Sequence, residues 1–430
     1  MFLQCAEDGC HAALDSNSAA HRCARCGGLL EVQYDFGGLD PAELRRLWQD
    51  RRSSNDPLDR SGVWRFRELV SFLEPGAPAA ETVVSLSEGR TPLLDAPRAG
   101  RWAGDLRLSF KHQGNNPTGS FKDLGMTAAI TRAVALGVRV VACASTGNTS
   151  SSMAAYAARA GIRALVFVPA GRISSAKLAQ ALDFGAFVIE LGESFDQAFS
   201  LVRQISSELG LYLVNSVNPF RIEGQKTLMV ELLEQRGWSV PDYLVVPGGN
   251  LGNASALGKG LRELRKIGLI EKSPRVVVVQ AAGANPFYSL IAAGCGQLTP
   301  VSKPETEATA IRIGNPANWR KARQVLEETD GLCESVTDEE IFAAKRALAE
   351  DGIGAEPASA ATLAGLRKLR AAGRIEAGTD VAAVLTGHQL KDTDYVIRHA
   401  GELESGRRIQ VEAGLEPLRR ALAKLLDASL

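Results

Sequence analysis

Between residues 138 and 385, short runs rich in β-branched residues alternate with stretches of helical apolar spacing, and this rhythm limits the fold more than any other property of the chain. VRVVACA (138–144), ALVFV (164–168) and AFVIEL (186–191) are each followed by a helical pattern, the last reaching to about residue 209. YLVVP (243–247), RVVVV (275–279) and DVAAVL (380–385) resume the rhythm. Strand and helix units of this size predict parallel sheets covered by helices. The rhythm breaks over 210–223, where YLVNSVNPFRIEG loses regular period after its first residues. The sequence therefore predicts an α/β protein of two lobes that meet near this break.

Around these lobes the composition changes. Leu44, Leu47 and Trp48, then Phe66, Leu69, Val70 and Leu73, repeat a helical spacing. EPGAPAAETVVSLSEGRTPL, from Glu74, is rich in turn residues and marks a transition. The expected organisation is a cysteine-bearing segment over 1–32, a helical region over 33–80, a larger lobe from 81–123 plus 221–400, a smaller lobe over 124–220, and a helical tail over 401–430.

The 430 residues carry a formal net charge of zero and a pI near 7.0. That balance argues against nucleic acid or an anionic membrane as an obligate partner. MFLQCAEDGC lacks the basic and apolar regions of a secretory signal, and no apolar stretch approaches the roughly 18 residues of a membrane span. The expected location is the cytoplasm.

Of seven cysteines, Cys143, Cys295 and Cys333 are scattered, whereas Cys5, Cys10, Cys23 and Cys26 spell C-x4-C-x12-C-x2-C. Disulfides are not expected in a large neutral chain without an export signal. Four thiolates satisfy a tetrahedral structural zinc site, so the segment is expected to be zinc-ribbon-like. Four residues separate the first pair where two are usual, which leaves His11 or His21 open as substitute ligands and leaves open a ribbon without metal.

Lys122 follows a Pro/Thr/Gly/Ser turn and opens a stretch with Leu124, Met126, Ala129, Ile130, Ala133 and Val134 at helical spacing. The first turn of a helix disfavours an ammonium group and so favours the free amine, the form that condenses with an aldehyde cofactor such as pyridoxal phosphate. A solvated surface lysine is the alternative. Three further segments place small and polar residues directly after a strand, where open parallel sheets bind ligands. STGNTSSS (145–152) offers hydroxyls and amides at a helix start, either an anion site or an ordinary cap. PGGNLGN (247–253) has glycines that let backbone N–H groups approach a phosphate, at a spacing that is neither a dinucleotide fingerprint nor a P-loop. LTGHQLKD (385–392) sets the Thr386 hydroxyl at a strand end. His388 beside it is a lone loop histidine and receives no role.

Together these groups describe a pyridoxal phosphate pocket, and here the chain resembles a known family. GNNPTGSFKD, ASTGNTSSS, NSVNPFRIEGQKT, VPGGNLGN, ATAIRIGNPANW, EPASAAT and LTGHQLKD resemble the ordered motif set of threonine synthases, within the tryptophan synthase β-like fold of pyridoxal phosphate enzymes (fold type II). The resemblance spans about 80–395, and CGGLLEV in the cysteine segment is also similar. NSVNPFRIEGQKT and the IRIGNP/EPASAAT pair are its specific parts, since SFKD and STGN recur in related dehydratases and β-replacement enzymes.

The resemblance implies that Lys122 holds the cofactor aldehyde and shuttles protons, that Asn148 bonds the pyridine 3-oxygen, and that Thr386 faces the pyridine nitrogen. It implies that Gly248, Gly249, Asn250, Leu251, Gly252 and Asn253 cradle the cofactor phosphate. Substrate carboxylate falls to Ser145 and Thr146, and substrate phosphate to Thr149, Asn215, Ser216 and Arg221, with Lys111 a weaker candidate. A guanidinium beside Asn and Ser side chains suits a second phosphate; an interlobe salt bridge is its competing role. Many members have Gly where this chain has Gln389, and Pro where it has Thr393.

The implied reaction converts O-phospho-L-homoserine and water to L-threonine and phosphate, and the implied assembly is a homodimer. Two rivals stand beside it: a β-replacement or dehydratase enzyme, such as a cysteate synthase acting on phosphoserine, and a catalytically silent ligand-sensing protein.

Overall fold

The computed structural model describes residues 1–7, 9–15, 18–72, 79–170, 175–192, 202, 204–206, 208–294, 296–399, 401 and 409–428. Cys295 and much of the helix expected before residue 209 lie outside these residues. The chain forms two compact units, Met1–Lys391 and Asp392–Leu430.

Three sheets organise the first unit. β1 (Phe2–Cys5), β2 (Ala13–Leu14) and β3 (Leu30–Gln33) form an antiparallel sheet in the order β2-β1-β3. The largest sheet is built from β4 (Leu93–Asp95), β5 (Arg107–His112), β10 (Tyr243–Pro247), β11 (Arg275–Ala281), β12 (Leu332–Val336) and β13 (Asp380–Leu385). Its order is β12-β11-β10-β13-β5-β4, with every pair parallel except β4 with β5. β6 (Val140–Ala144), β7 (Arg163–Pro169), β8 (Phe187–Leu191) and β9 (Tyr212–Leu213) form the third sheet, parallel throughout, in the order β8-β7-β6-β9.

The continuous apolar runs are the strands buried on both faces. β10 is buried at every position and lies between β11 and β13, with Val245 opposite Val277 and Ala383. Helices on each side complete the burial that makes such a run stable. β5 carries a different signature, because Ser109, Lys111 and His112 are buried within it. Their partners come from distant segments, so the strand is invisible to a search for β-branched runs.

The helix expected from Leu44, Leu47 and Trp48 is Pro41–Arg52, capped by Asp40, whose carboxylate accepts from Glu43 N at 2.8 Å. The second expected helix, through Phe66, Leu69 and Val70, is instead a 3-10 turn over Trp64–Phe66 followed by hydrogen-bonded turns, and Leu73 lies outside the described residues. Ser61 through Phe66 are buried without interruption, and a one-faced surface helix cannot bury six successive residues.

The N-terminal sheet is fastened to the body by buried lysines. Lys321 Nζ donates to Leu30 O at 3.1 Å, and Lys259 Nζ donates to Val32 O and to Glu223. Each ammonium covers a strand carbonyl while keeping a carboxylate nearby, which limits the cost of burying charge.

Two glycines set the spacing beneath the site. The helices Lys122–Ala135 and Pro219–Gln235 pack so closely that a Cβ on Gly224 would stand 1.8 Å from Leu124 O. A Cβ on Gly125 would stand 2.8 Å from Arg221 O. Only glycine permits this approach, and it brings the starts of both helices, with Lys122 and Arg221, into one region.

In the second unit, Thr393–Arg398 and Leu415–Ala428 are helical. No helix among the described residues is long and apolar enough to cross a membrane.

Candidate active site

Lys122 begins the helix Lys122–Ala135, directly after the turn that contains Gly119 at φ 85°. Asp123 holds that turn: its carboxylate accepts from Thr118 N at 2.7 Å, Thr118 Oγ1 at 2.6 Å and Ser152 Oγ at 2.6 Å. Lys122 is partly buried, with Nζ 4.0 Å from the centroid of the Phe121 ring. Burial, and next the positive charge of Arg221, push its pKa down to about 7, against an opposing pull from Glu356. The free amine expected from the helix start is thus favoured by causes that act through the tertiary fold.

Asn148 is the first residue of the helix Asn148–Ala160 after β6. Its Nδ2 donates to Glu356 Oε2 at 3.0 Å and Oε1 at 3.3 Å, while its Oδ1 is buried with no partner among the described residues. Glu356 is 2% exposed and precedes the helix Pro357–Ala371. Its N–H donates to Gly387 O at 3.0 Å, and a Cβ on Gly387 would lie 2.4 Å from its Cδ. Thr386 Oγ1 lies 3.4 Å from Glu356 Oε1 and 3.0 Å from Ser359 Oγ. The carboxylate therefore sits where the segments after β6 and β13 meet. Sequence reasoning gave Glu356 no role, although a lone acid opening EPASAAT, directly before a proline-initiated helix, was the available signal.

After β10, Leu251 takes a left-handed conformation at φ 62° and starts the helix Gly252–Ile267 without a side-chain cap. The first intrahelical bond runs from Ser255 N to Leu251 O at 3.0 Å, so the N–H groups of Gly252, Asn253 and Ala254 have no acceptor within the helix. Both amide atoms of Asn253 are buried without a partner among the described residues. Gly249 passes so near Ile311 that a Cβ would stand 3.2 Å from its Cα. Asn250 turns outward from this cradle: its Oδ1 accepts from Ala317 N at 2.7 Å, and its carbonyl accepts from Asn318 Nδ2 at 3.2 Å. Uncapped N–H groups, a helix dipole and an orphaned buried amide fit a phosphate group. With Lys122 and Asn148 at helix starts and Thr386 directly after β13, the residues present fit pyridoxal phosphate.

Ser145, Thr146 and Thr149 are partly buried around the start of the helix Asn148–Ala160. Asn215 lies across from them and spends its amide on β6, accepting from Ala144 N at 3.1 Å and donating to Ala144 O at 2.9 Å. Ser216 backs the cradle, since a Cβ on Gly252 would stand 3.7 Å from the Ser216 Cβ. Arg221 is 2% exposed; its Nη1 donates to Val214 O at 3.1 Å and its Nε has no partner among the described residues. No carboxylate pairs with it among these residues, so the salt-bridge role is not realised. Burial pushes its pKa down to about 10, which leaves it charged at neutral pH.

Lys111 is buried like Arg221 but has a carboxylate partner. It is ion-paired to Glu231 at 3.2 Å and donates to Gln235 Oε1 at 2.8 Å and Thr91 O at 2.5 Å, which makes it a core group. His388 accepts from Leu390 N through Nδ1 at 3.2 Å, and its ring stands 6.1 Å from that of His112. The Gln389 amide lies over Gly354, where a Cβ would meet its Oε1 at 2.5 Å.

In the N-terminal sheet, the sulfurs of Cys5, Cys10, Cys23 and Cys26 all lie within 4.8 Å of one another, and all four are free cysteines. Cys5 and Cys26 approach to 3.4 Å, Cys10 and Cys23 to 3.8 Å. Nε2 of His21 faces Asn218 instead.

Residues 84–387 match the family described as pyridoxal-phosphate dependent enzyme. The fold and the site define the chain as a pyridoxal-phosphate-dependent enzyme of the two-sheet α/β type. It is 42% identical over 421 residues to the threonine synthase of Methanosarcina acetivorans, covering 98% of each chain. It is 43% identical over 418 residues to the threonine synthase of Methanocaldococcus jannaschii, covering 97% of this chain and 98% of that one. The chain belongs to the threonine synthase family. The maize serine racemase structure shares the fold, with a TM-score of 0.62 at 22% identity over 77% of this chain and 96% of that one.

Proposed function

We propose that this chain converts O-phospho-L-homoserine and water to L-threonine and phosphate. Arg221 carries the reading, as a buried, charged guanidinium with no carboxylate partner, close enough for its charge to act on Lys122. A β-elimination enzyme acting on serine or threonine has no second phosphate to neutralise such a group.

Asn253 and the N–H groups from Gly252 onward would hold the cofactor phosphate, with Gly248 and Gly249 clearing its approach. Asn250 and Leu251 would shape that loop. Asn148 would face the ring oxygen and Thr386 the ring nitrogen. When bound, pyridoxal phosphate supplies an electron sink for charge released at the substrate carbons. Ser145 and Thr146 would hold the substrate carboxylate. Thr149, Ser216 and Arg221 would hold its phosphate, with Asn215 fixing the turn that presents them. The Lys122 amine would first hold the cofactor, then take the Cα proton and a Cβ proton and return one at Cγ. The Cγ–O bond breaks toward phosphate, where Arg221 stabilises the departing charge. Water adds its hydroxyl at Cβ and gives its proton to the departed phosphate, and the proton still on Lys122 returns to Cα.

The four thiols would hold one structural zinc ion, a donor set and spacing that suit tetrahedral coordination. A cytoplasmic homodimer is the assembly in this reading. The test is incubation of the purified, cofactor-loaded protein with O-phospho-L-homoserine and, separately, with phosphoserine plus sulfite. Threonine and phosphate in equal amounts from the former support the reading; their absence, or cysteate from the latter alone, rejects it.

A further inference from the structure

The segment between β2 and β3 sends the His21 side chain to the turn that presents Arg221. His21 lies just ahead of Cys23, and its Nε2 stands 3.1 Å from Asn218 Nδ2. That same Nδ2 donates to Leu213 O at 2.9 Å, and Asn218 Oδ1 accepts from Phe220 N at 3.0 Å. A backbone N–H can only donate, so Phe220 fixes which end of the Asn218 amide is oxygen. His21 Nε2 is therefore the acceptor.

Asn218 stands at the centre of the anion turn. It caps the helix Pro219–Gln235 and lies three residues before Arg221. Its N–H donates to Asn215 O at 3.0 Å, and its carbonyl accepts from Arg221 N at 3.3 Å. The His21 ring also meets Tyr212 edge-on, with centroids 5.0 Å apart at 70°. Tyr212 opens β9, the strand that leads into Asn215.

We propose that His21 is a positioning residue for the substrate-phosphate site, holding the Asn218 amide so that the Asn215–Arg221 turn presents Arg221 to an anion. It touches no reacting atom. The inference rests on the reading of Arg221 as the phosphate ligand, and it adds that the cysteine-bearing sheet sets the affinity of that site. Restraining one hydrogen bond at a cap is worth about a fivefold change in affinity.

The test uses three variants of the cofactor-loaded, full-length protein, titrated calorimetrically with inorganic phosphate and assayed with the phosphorylated substrate. His21→Phe keeps a ring against Tyr212 and removes the acceptor. His21→Gln supplies an acceptor without the ring, and Arg221→Gln removes the proposed ligand. The expected result is phosphate affinity about fivefold weaker in His21→Phe, with KM raised in step, kcat unchanged and the visible cofactor band intact. His21→Gln restores affinity to within about twofold. Unchanged affinity in His21→Phe, equal weakening in both His21 variants, a loss confined to kcat, or failure of His21→Phe to fold each overturns the proposal. Phosphate binding that survives Arg221→Gln rejects the reading of Arg221 itself. Binding lost there but unaffected by His21→Phe rejects only the role of His21.

Discussion

Asn148 and Glu356, 208 residues apart in sequence, are joined by hydrogen bonds of 3.0 and 3.3 Å from the Asn148 amide to the buried carboxylate. This contact orients the side chain at the start of one helix through the residue that precedes another. It also keeps a negative charge near enough to oppose the fall in the pKa of Lys122.

Glu356→Gln keeps the shape and removes that charge. With the opposing pull gone, the Lys122 amine stays neutral to lower pH, so cofactor capture by the apoenzyme should reach half its maximal rate below the wild-type midpoint. An Asn148 amide deprived of its charged acceptor should also cost about tenfold in kcat/KM. Stopped-flow absorbance across a pH series, with steady-state assays, checks both.

Wild-type capture should itself have its midpoint near pH 7, because only the free amine condenses and Lys122 is lowered to about 7 from 10.5. The same shift affects stability. Between about 7 and 10.5 the unfolded chain binds more protons at this site than the folded one, so the apoenzyme gains stability as pH rises through that window. Melting curves of wild type and Lys122→Met should therefore differ in slope over that range, with the variant lacking this gain.

Gly224→Ala should destabilise the protein by about 3 kcal/mol, the upper end of overpacking costs. The clash is with the Leu124 carbonyl, a backbone atom 1.8 Å from the added Cβ, so no side chain can yield. Because Leu124 lies two residues after Lys122 in the same first turn of the helix, cofactor affinity should fall as well. Thermal melts and cofactor titration measure the two effects.

If zinc occupies the four-thiol cluster, metal analysis should give about one equivalent per chain, and Cys10→Ser should lower both metal content and melting temperature. A fully folded, metal-free protein with an unchanged melting temperature would contradict the zinc reading.

The sequence made the central strands legible because a strand covered on both faces is written as an uninterrupted apolar run, as in β10 and β11. β5 escaped notice because Lys111 and His112 are buried in it and satisfied by Glu231, Gln235 and Gly354, all remote in sequence. The same distinction divides the site. Lys122, the glycine loop and Thr386 were readable from their places just after strands or a turn. Glu356 gains its place through Asn148, Thr386 and Gly387, and the Asn215 amide is tied to Ala144, so neither role was written locally.

The proposed reaction requires Arg221 to receive a substrate phosphate beside Lys122. A crystal structure of the cofactor-loaded enzyme with a phosphonate analogue of O-phospho-L-homoserine tests this most directly. The predicted result is a phosphonate oxygen within hydrogen-bond distance of the Arg221 guanidinium. A phosphonate bound elsewhere, with Arg221 still donating only to Val214 O, would contradict it.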